Sequence, residues 1–121
     1  MAAVAGLRAA TVGSQTLSVG DTAKVPLSHV RREIVSGLTG PAGYSEMPTP
    51  AYAELDVVLT AETDIDALFE PGQTVQLDFK SGRSYVFDES VAVGDPPEFA
   101  VEGGKFTIRY ESGNNQPGRW I

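Results

Sequence analysis

The chain has no cysteine, a single histidine and a single tryptophan. Without cysteine there is no disulfide framework, no thiolate metal site and no cysteine nucleophile. That usage fits synthesis in a cytosol. The one histidine, His29, has no chemical partner close by in sequence. A triad or metal centre needs converging ligands, so His29 reads as a strand or surface histidine. Cations are scarce too: nine Lys and Arg stand against sixteen Asp and Glu, for a net charge of −7. Tight grip on nucleic acid comes from cations neutralising phosphates, so that role is disfavoured. No window approaches about 18 consecutive apolar residues, so no membrane insertion is expected. Residues Met1–Ala10 lack a basic start followed by a long apolar stretch, and are not expected to be a signal peptide.

What is present suits one domain spanning residues 1–121. A chain of this size buries roughly two-thirds of its unfolded surface and holds a core without staples. Charge is unevenly placed. Residues 1–40 and 103–121 are net basic, whereas residues 41–102 are strongly acidic, with Lys80 and Arg83 as their only cations. A solvated acidic surface accounts for this. So does a contact in which the basic ends of one copy meet the acidic middle of another, which would set register and encounter.

The dominant hydrophobic period is two, the period of a strand. Ala53, Leu55, Val57 and Leu59 alternate with Glu54, Asp56, Val58 and Thr60. Val75, Leu77 and Phe79 alternate with Thr74, Gln76, Asp78 and Lys80, and Phe106, Ile108 and Tyr110 with Thr107, Arg109 and Glu111. Each reads as a half-buried antiparallel strand with one wet face. Ser81-Gly82 predicts a turn joining Thr74–Lys80 to Arg83–Val93. Gly103-Gly104 connects Glu98–Glu102 to Lys105–Glu111, and Gly94-Asp95-Pro96-Pro97 breaks the sheet before that pair. Nearer the start, Ala10–Val12, Gln15–Val19 and Ala23–Val35 are expected strands, with turns at Gly13-Ser14 and Gly20-Asp21. Val25–Val35 is the longest of them, entered at a sheet edge through Pro26.

One short helix is expected over Asp64–Phe69. Thr63 or Asp64 caps it, Asp64 and Asp66 complement its positive end, and Pro71-Gly72 stops it. Ile65, Leu68 and Phe69 form its apolar stripe.

Two segments stand apart. Residues 36–51 combine Gly37, Gly40, Gly43, Pro41, Pro48 and Pro50 between two strands. A structureless connection that long is uncommon in a compact domain unless it binds something, so it is expected to be an interaction loop. Tyr44 and Met47 are its candidate apolar anchors. Residues 112–121 are expected to be an extended C-terminal arm, whose Trp120 docks either in cis or on another copy.

Catalytic chemistry finds little support. Glu54/Asp56 and Asp64/Asp66 have i, i+2 spacing, but a general acid needs burial and these acids lie opposite the apolar faces. The twelve-residue calcium-loop spacing is absent. Gly37, Gly40 and Gly43 do not follow the dinucleotide fingerprint, and Pro41 disfavours a phosphate-cradling helix start. Arg31-Arg32-Glu33 suits a salt-bridged edge that blunts unwanted pairing.

The order of these weak signals resembles a known family. Gly6, Val12-Gly13-Ser14, Arg32-Glu33, then Gly37, Gly40 and Gly43-Tyr44-Ser45-Glu46-Met47-Pro48 are similar to the Mu-like tail tube proteins of contractile-tailed phages. Thr74–Phe79 followed by Ser81–Phe87 resembles that family's central hairpin. Val91–Asp95 and Glu98 through Gly103-Gly104 to Phe106–Glu111 resemble its last strands. The resemblance spans roughly residues 5–112, and Asn114–Ile121 has no clear counterpart.

The resemblance implies a mainly β domain, an antiparallel β-sandwich or rolled sheet with one short helix. It implies a structural virion protein with no enzymatic activity, no cofactor and no metal. Copies would close into a hexameric ring with a lumenal β-barrel, and rings would stack into a tube that conducts DNA. Implied partners are the chain itself, the tail sheath, the tape-measure protein, the baseplate and tail terminator proteins, and DNA in transit. Its place would be the virion tail, assembled in the host cytoplasm. Within it, Gly37, Gly40, Gly43, Tyr44, Glu46, Met47 and Pro48 are the expected inter-subunit contacts, and Arg119 and Trp120 those of the arm. Glu54, Asp56 and Asp78 are candidates for a lumen wall that repels phosphate. Alternatives are the tube of a tailocin or a secretion-type contractile apparatus, and a stand-alone β-sandwich binding module.

Overall fold

A computed structural model describes residues 6–37, 39–114 and 116–121. The strands are β1 (Leu7–Val12), β2 (Gln15–Leu17), β3 (Val19–Lys24), β4 (Val30–Gly37), β5 (Gly40–Pro48) and β6 (Tyr52–Val58). After helix α1 (Ile65–Leu68) come β7 (Gln73–Phe79), β8 (Ser84–Ala92), β9 (Lys105–Ser112) and β10 (Arg119–Trp120). One antiparallel sheet runs in the order β2-β1-β7-β8-β9-β6-β3, with β10 added to β8. Its far strands β1 and β3 approach one another, so the sheet rolls into a nearly closed barrel. Strands β4 and β5 form a separate two-stranded sheet.

The barrel interior is where the alternating apolar residues go. Ala53, Leu55 and Val57 of β6, Val75 and Leu77 of β7, and Ile108 and Tyr110 of β9 are buried. Tyr85 and Phe87 of β8 and Ala10 and Val12 of β1 complete the same cluster. The period-two pattern thus assigns the inward faces of β6, β7 and β9 correctly, and burial of a Val, Leu, Ile or Phe side chain contributes about 1.5–3 kcal/mol.

Helix α1 plugs this interior with Leu68, and its N-cap is Asp64, whose side chain accepts the Ala67 N–H. The Tyr110 hydroxyl donates to the Leu68 carbonyl at 2.8 Å, tying helix to sheet from inside the core. Burial pushes this phenol well above its ordinary pKa.

Several expectations need correcting. Gly20-Asp21 is not a turn but lies inside β3, where the register shifts between Val19 and Ala23. Here β3 passes close to β6, and a Cβ at Gly20 would meet the Asp56 carboxylate at 2.6 Å. The long strand expected over Ala23–Val35 is interrupted, because Val25–His29 leave the sheet. Pro26 cannot donate to a ladder, and its carbonyl instead accepts the Trp120 indole N–H at 3.0 Å. Glu98–Glu102 is no strand either. Only Ala100 bridges to Lys105 before Gly104 turns the chain at φ +65°.

The largest correction concerns residues 36–51. Gly40–Pro48 is not a structureless loop but the return strand of a hairpin, in register with β4 from Val30↔Pro48 to Gly37↔Gly40. Gly40 and Gly43 take φ +125° and +149°, and the register shifts between Val35 and Ser36. Glycine adopts such angles without strain, which lets an irregular sequence stay paired. A strand with one unpaired edge also tolerates Pro41 and Pro48, which a central strand would not.

Candidate functional site

The β4–β5 hairpin leaves the barrel with both faces in water. Every described side chain of β4 and β5 is exposed. An isolated two-stranded hairpin is marginal in water, so one this long needs support from elsewhere. Its cross-strand pairs sort by face. Val30↔Pro48, Arg32↔Glu46 and Ile34↔Tyr44 share one side; Arg31↔Met47, Glu33↔Ser45 and Val35↔Gly43 share the other. Arg32 Nε meets Glu46 at 3.1 Å, and Arg31 meets Glu33 at 2.7 Å. Such exposed ion pairs contribute little to stability. They leave the hairpin electrically balanced, with Ile34, Tyr44 and Met47 at 70%, 62% and 61% exposure. Ile34 is an exposed apolar side chain of the hairpin that the sequence reading missed. Its signal lay in the Val30-Arg31-Arg32-Glu33-Ile34 alternation, which places Ile34 opposite Tyr44 only once the hairpin register is known.

The root of the hairpin is fastened. The Thr49 N–H donates to the His29 carbonyl at 2.8 Å, closing the neck. The His29 ring stacks on Tyr85, with Nε2 2.7 Å from the phenol oxygen. The Gly118 N–H donates to the same Nε2 at 3.2 Å, so Nε2 is an acceptor and carries no proton. Burial lowers the His29 pKa, and burial pushes the Tyr85 phenol up to about 12.

The C-terminal arm is ordered along β8. Arg119 and Trp120 pair with Val86 and Tyr85, and Ile121 exchanges both backbone bonds with Ser84. The Trp120 indole packs in cis, 5.0 Å from the Tyr85 ring and 5.6 Å from Phe79. Arg119 lies 3.5 Å from Asp88.

The three acids expected on one wall are not brought together. Glu54 and Asp56 lie on β6 and Asp78 on β7, with β8 and β9 between them. Glu54 is partnered by Arg109 at 3.8 Å, while Arg109 also meets Glu111 and covers the Tyr52 ring at 4.4 Å. Asp78 accepts from Ser84 at 2.6 Å and from Gln76 at 3.1 Å, which holds its carboxyl below the usual carboxylate range.

Among the described residues no group of three or more His, Asp or Glu is placed to hold a metal ion. No helix among them is long and apolar enough to cross a membrane. What the surface offers instead is an unsupported hairpin on a rigid barrel. A sequence model of the phage tail tube protein family matches residues 1–116. No curated protein matches the chain.

Proposed function

Because the chain belongs to the phage tail tube protein family, we propose that it is the Mu-like tube subunit of a contractile tail, built as hexameric rings stacked head to tail. The family is a structural one, and membership implies self-assembly into a tube within the virion tail. The observation that carries the finer reading is the hairpin, whose two faces are exposed along their whole length. A subunit that builds an open polymer needs two unlike complementary surfaces, one of which must reach outward. The hairpin is that reach, with Tyr44, Met47 and Ile34 as anchors. Gly37, Gly40, Gly43, Glu46 and Pro48 shape it. Its free edges also suit strand pairing between neighbours, which removes the hazard of an exposed edge.

The hairpin issues from β3 and β6, so hairpins joined around a ring extend the wall that carries Glu54 and Asp56. That wall faces the lumen, where carboxylates keep DNA sliding during ejection. Asp78, on the other side of the barrel, faces the sheath. The tape-measure protein occupies the lumen during assembly, and the baseplate and terminator proteins cap the ends. Trp120 fastens the arm to its own barrel, with Arg119 beside it on the outer surface.

Electron microscopy of the purified protein tests this. Rings or tubes about 100 Å wide, the size expected for a hexameric ring of domains this large, support the reading. A strictly monomeric species at high concentration under every salt condition contradicts it. Decoration of the tubes by sheath protein tests the contractile assignment separately.

A further inference from the structure

The hairpin is one open apolar surface, and another lies at the opposite end of the barrel. There Leu59, Ile65, Phe69, Pro97, Phe99 and Phe106 line a cleft of about 110 Å³. Through Phe69 and Pro97 it continues into a wider hollow of about 300 Å³, walled in part by Asp95, Thr107 and Arg109. Ile65, Phe69 and Phe99 are 52%, 41% and 46% exposed. Clustered large apolar side chains on a soluble surface mark a site of association.

The two ends differ in charge. Segments 60–72 and 94–102 surround the cleft with seven acids and no lysine, arginine or histidine, and against these stand Lys105 beside Phe106 and Arg109 on the hollow's wall, so this end is net acidic. The other end carries Lys24, which pairs with Glu54 as β3 leads toward the hairpin. It also carries Lys80 and Arg83, on the turn after Phe79, against which Trp120 packs while bonding Pro26. The seven-residue β6 and β7 separate the ends, a span of about 20 Å at the usual rise per residue.

We propose that this cleft is the socket for the hairpin of a second copy, with that copy's Ile34 and Tyr44 seated against Phe69 and Phe99. The inference rests on the tube reading and adds the surface that receives the arm. Three observations converge on it. An acidic apolar end and a basic end bearing an apolar arm are complementary between copies and cannot satisfy each other within one. A contact between unlike surfaces at opposite ends of the barrel stacks copies in line, and such a contact propagates where its rotation does not close a ring. The sizes also match. A cavity of about 150 Å³ holds a benzene ring, so the narrow cleft takes an aliphatic group such as Ile34. The wider hollow takes the Tyr44 ring and offers Asp95 and Thr107 to its hydroxyl, which needs a partner once buried. Finally, Ile34 and Tyr44 sit opposite one another on one face of the hairpin and would enter together.

The absence of cysteine makes the test clean. Ile34→Cys and Phe99→Cys are made in separate chains, mixed and assembled, then oxidised. A disulfide requires the two Cα atoms within about 7 Å, so the mixture should yield a linked dimer several-fold above either variant alone. In parallel, Ile65→Asp, on an exposed helix position, should abolish tubes without moving the melting temperature. Tubes that form normally with Ile65→Asp, or without the mixed disulfide, would overturn the socket and leave the tube reading standing. Failure of the unsubstituted chain to form any tube would overturn both.

Discussion

Two hairpins in this chain follow similar local rules and meet opposite fates. In β7–β8, Ser81-Gly82 closes a turn with Gly82 at φ +95°, and Val75, Leu77, Tyr85 and Phe87 turn inward to near-zero exposure. In β4–β5, the ladder is as continuous, yet no described side chain is buried. Pairing alone therefore does not decide whether a hairpin is supported; what decides it is an apolar face with something to cover it. The first hairpin finds its cover within the chain. The second carries Ile34, Tyr44 and Met47 outward and finds none there.

This contrast can be broken most forcefully by removing the second hairpin. His29 and Thr49 are already hydrogen-bonded at the neck, so a short glycine turn can replace residues 30–48. We expect tubes to disappear from electron micrographs while thermal unfolding stays within a few degrees of the parent. Collapse of the fold would place the hairpin within the folding unit instead. Next in size is Phe87→Ala, in the supported hairpin. It should cost about 3–5 kcal/mol in urea unfolding, whereas Ile34→Ala should cost under about 0.5 kcal/mol.

How much of this contrast the sequence disclosed depends on the strand. The inward faces of β6, β7 and β9 were legible because alternation over several residues leaves one arrangement for a half-buried strand. The Asp64 cap was legible because its chemistry is local. Residues 36–51 misled because glycine and proline signal a break, and here they serve a strand with a free edge. Val25–Val35 misled in the opposite sense: its pattern is strand-like, but Pro26 and His29 are taken by Trp120, Tyr85 and Gly118 from distant parts of the chain. The apolar cleft was invisible because the turn closed by Ala100 and Lys105 brings Phe99 to Phe106, and Phe69 reaches them from the distant end of α1.

Smaller effects sharpen the comparison at the junction of hairpin and barrel. Trp120→Ala removes an aromatic stack and the bond to Pro26, and should cost about 2 kcal/mol by urea unfolding. An unchanged midpoint would mean the arm does not hold the neck. His29 supplies a pH dependence. Its folded pKa lies below 6.5, so below that pH the unfolded chain binds more protons than the folded one. Stability is then intact above about pH 6.5 and falls as pH drops through the folded pKa. His29→Gln keeps an acceptor near Nε2 and cannot titrate, so its urea midpoint should fall less between pH 7 and 5.5 than the parent's. The smallest effect is Ser90→Ala. Its buried hydroxyl has no partner among the described residues, so removal should be neutral or slightly stabilising, within about 0.5 kcal/mol.

Amide hydrogen exchange, read on isolated subunits and again on assembled tubes, tests the account most directly. Backbone amides of β7 and β8 should be slow in both states. Those of β4 and β5 should exchange rapidly in the subunit and become protected in the tube. Protection of β4–β5 already in the isolated subunit, or none gained on assembly, would contradict the assignment of this hairpin to contacts between copies.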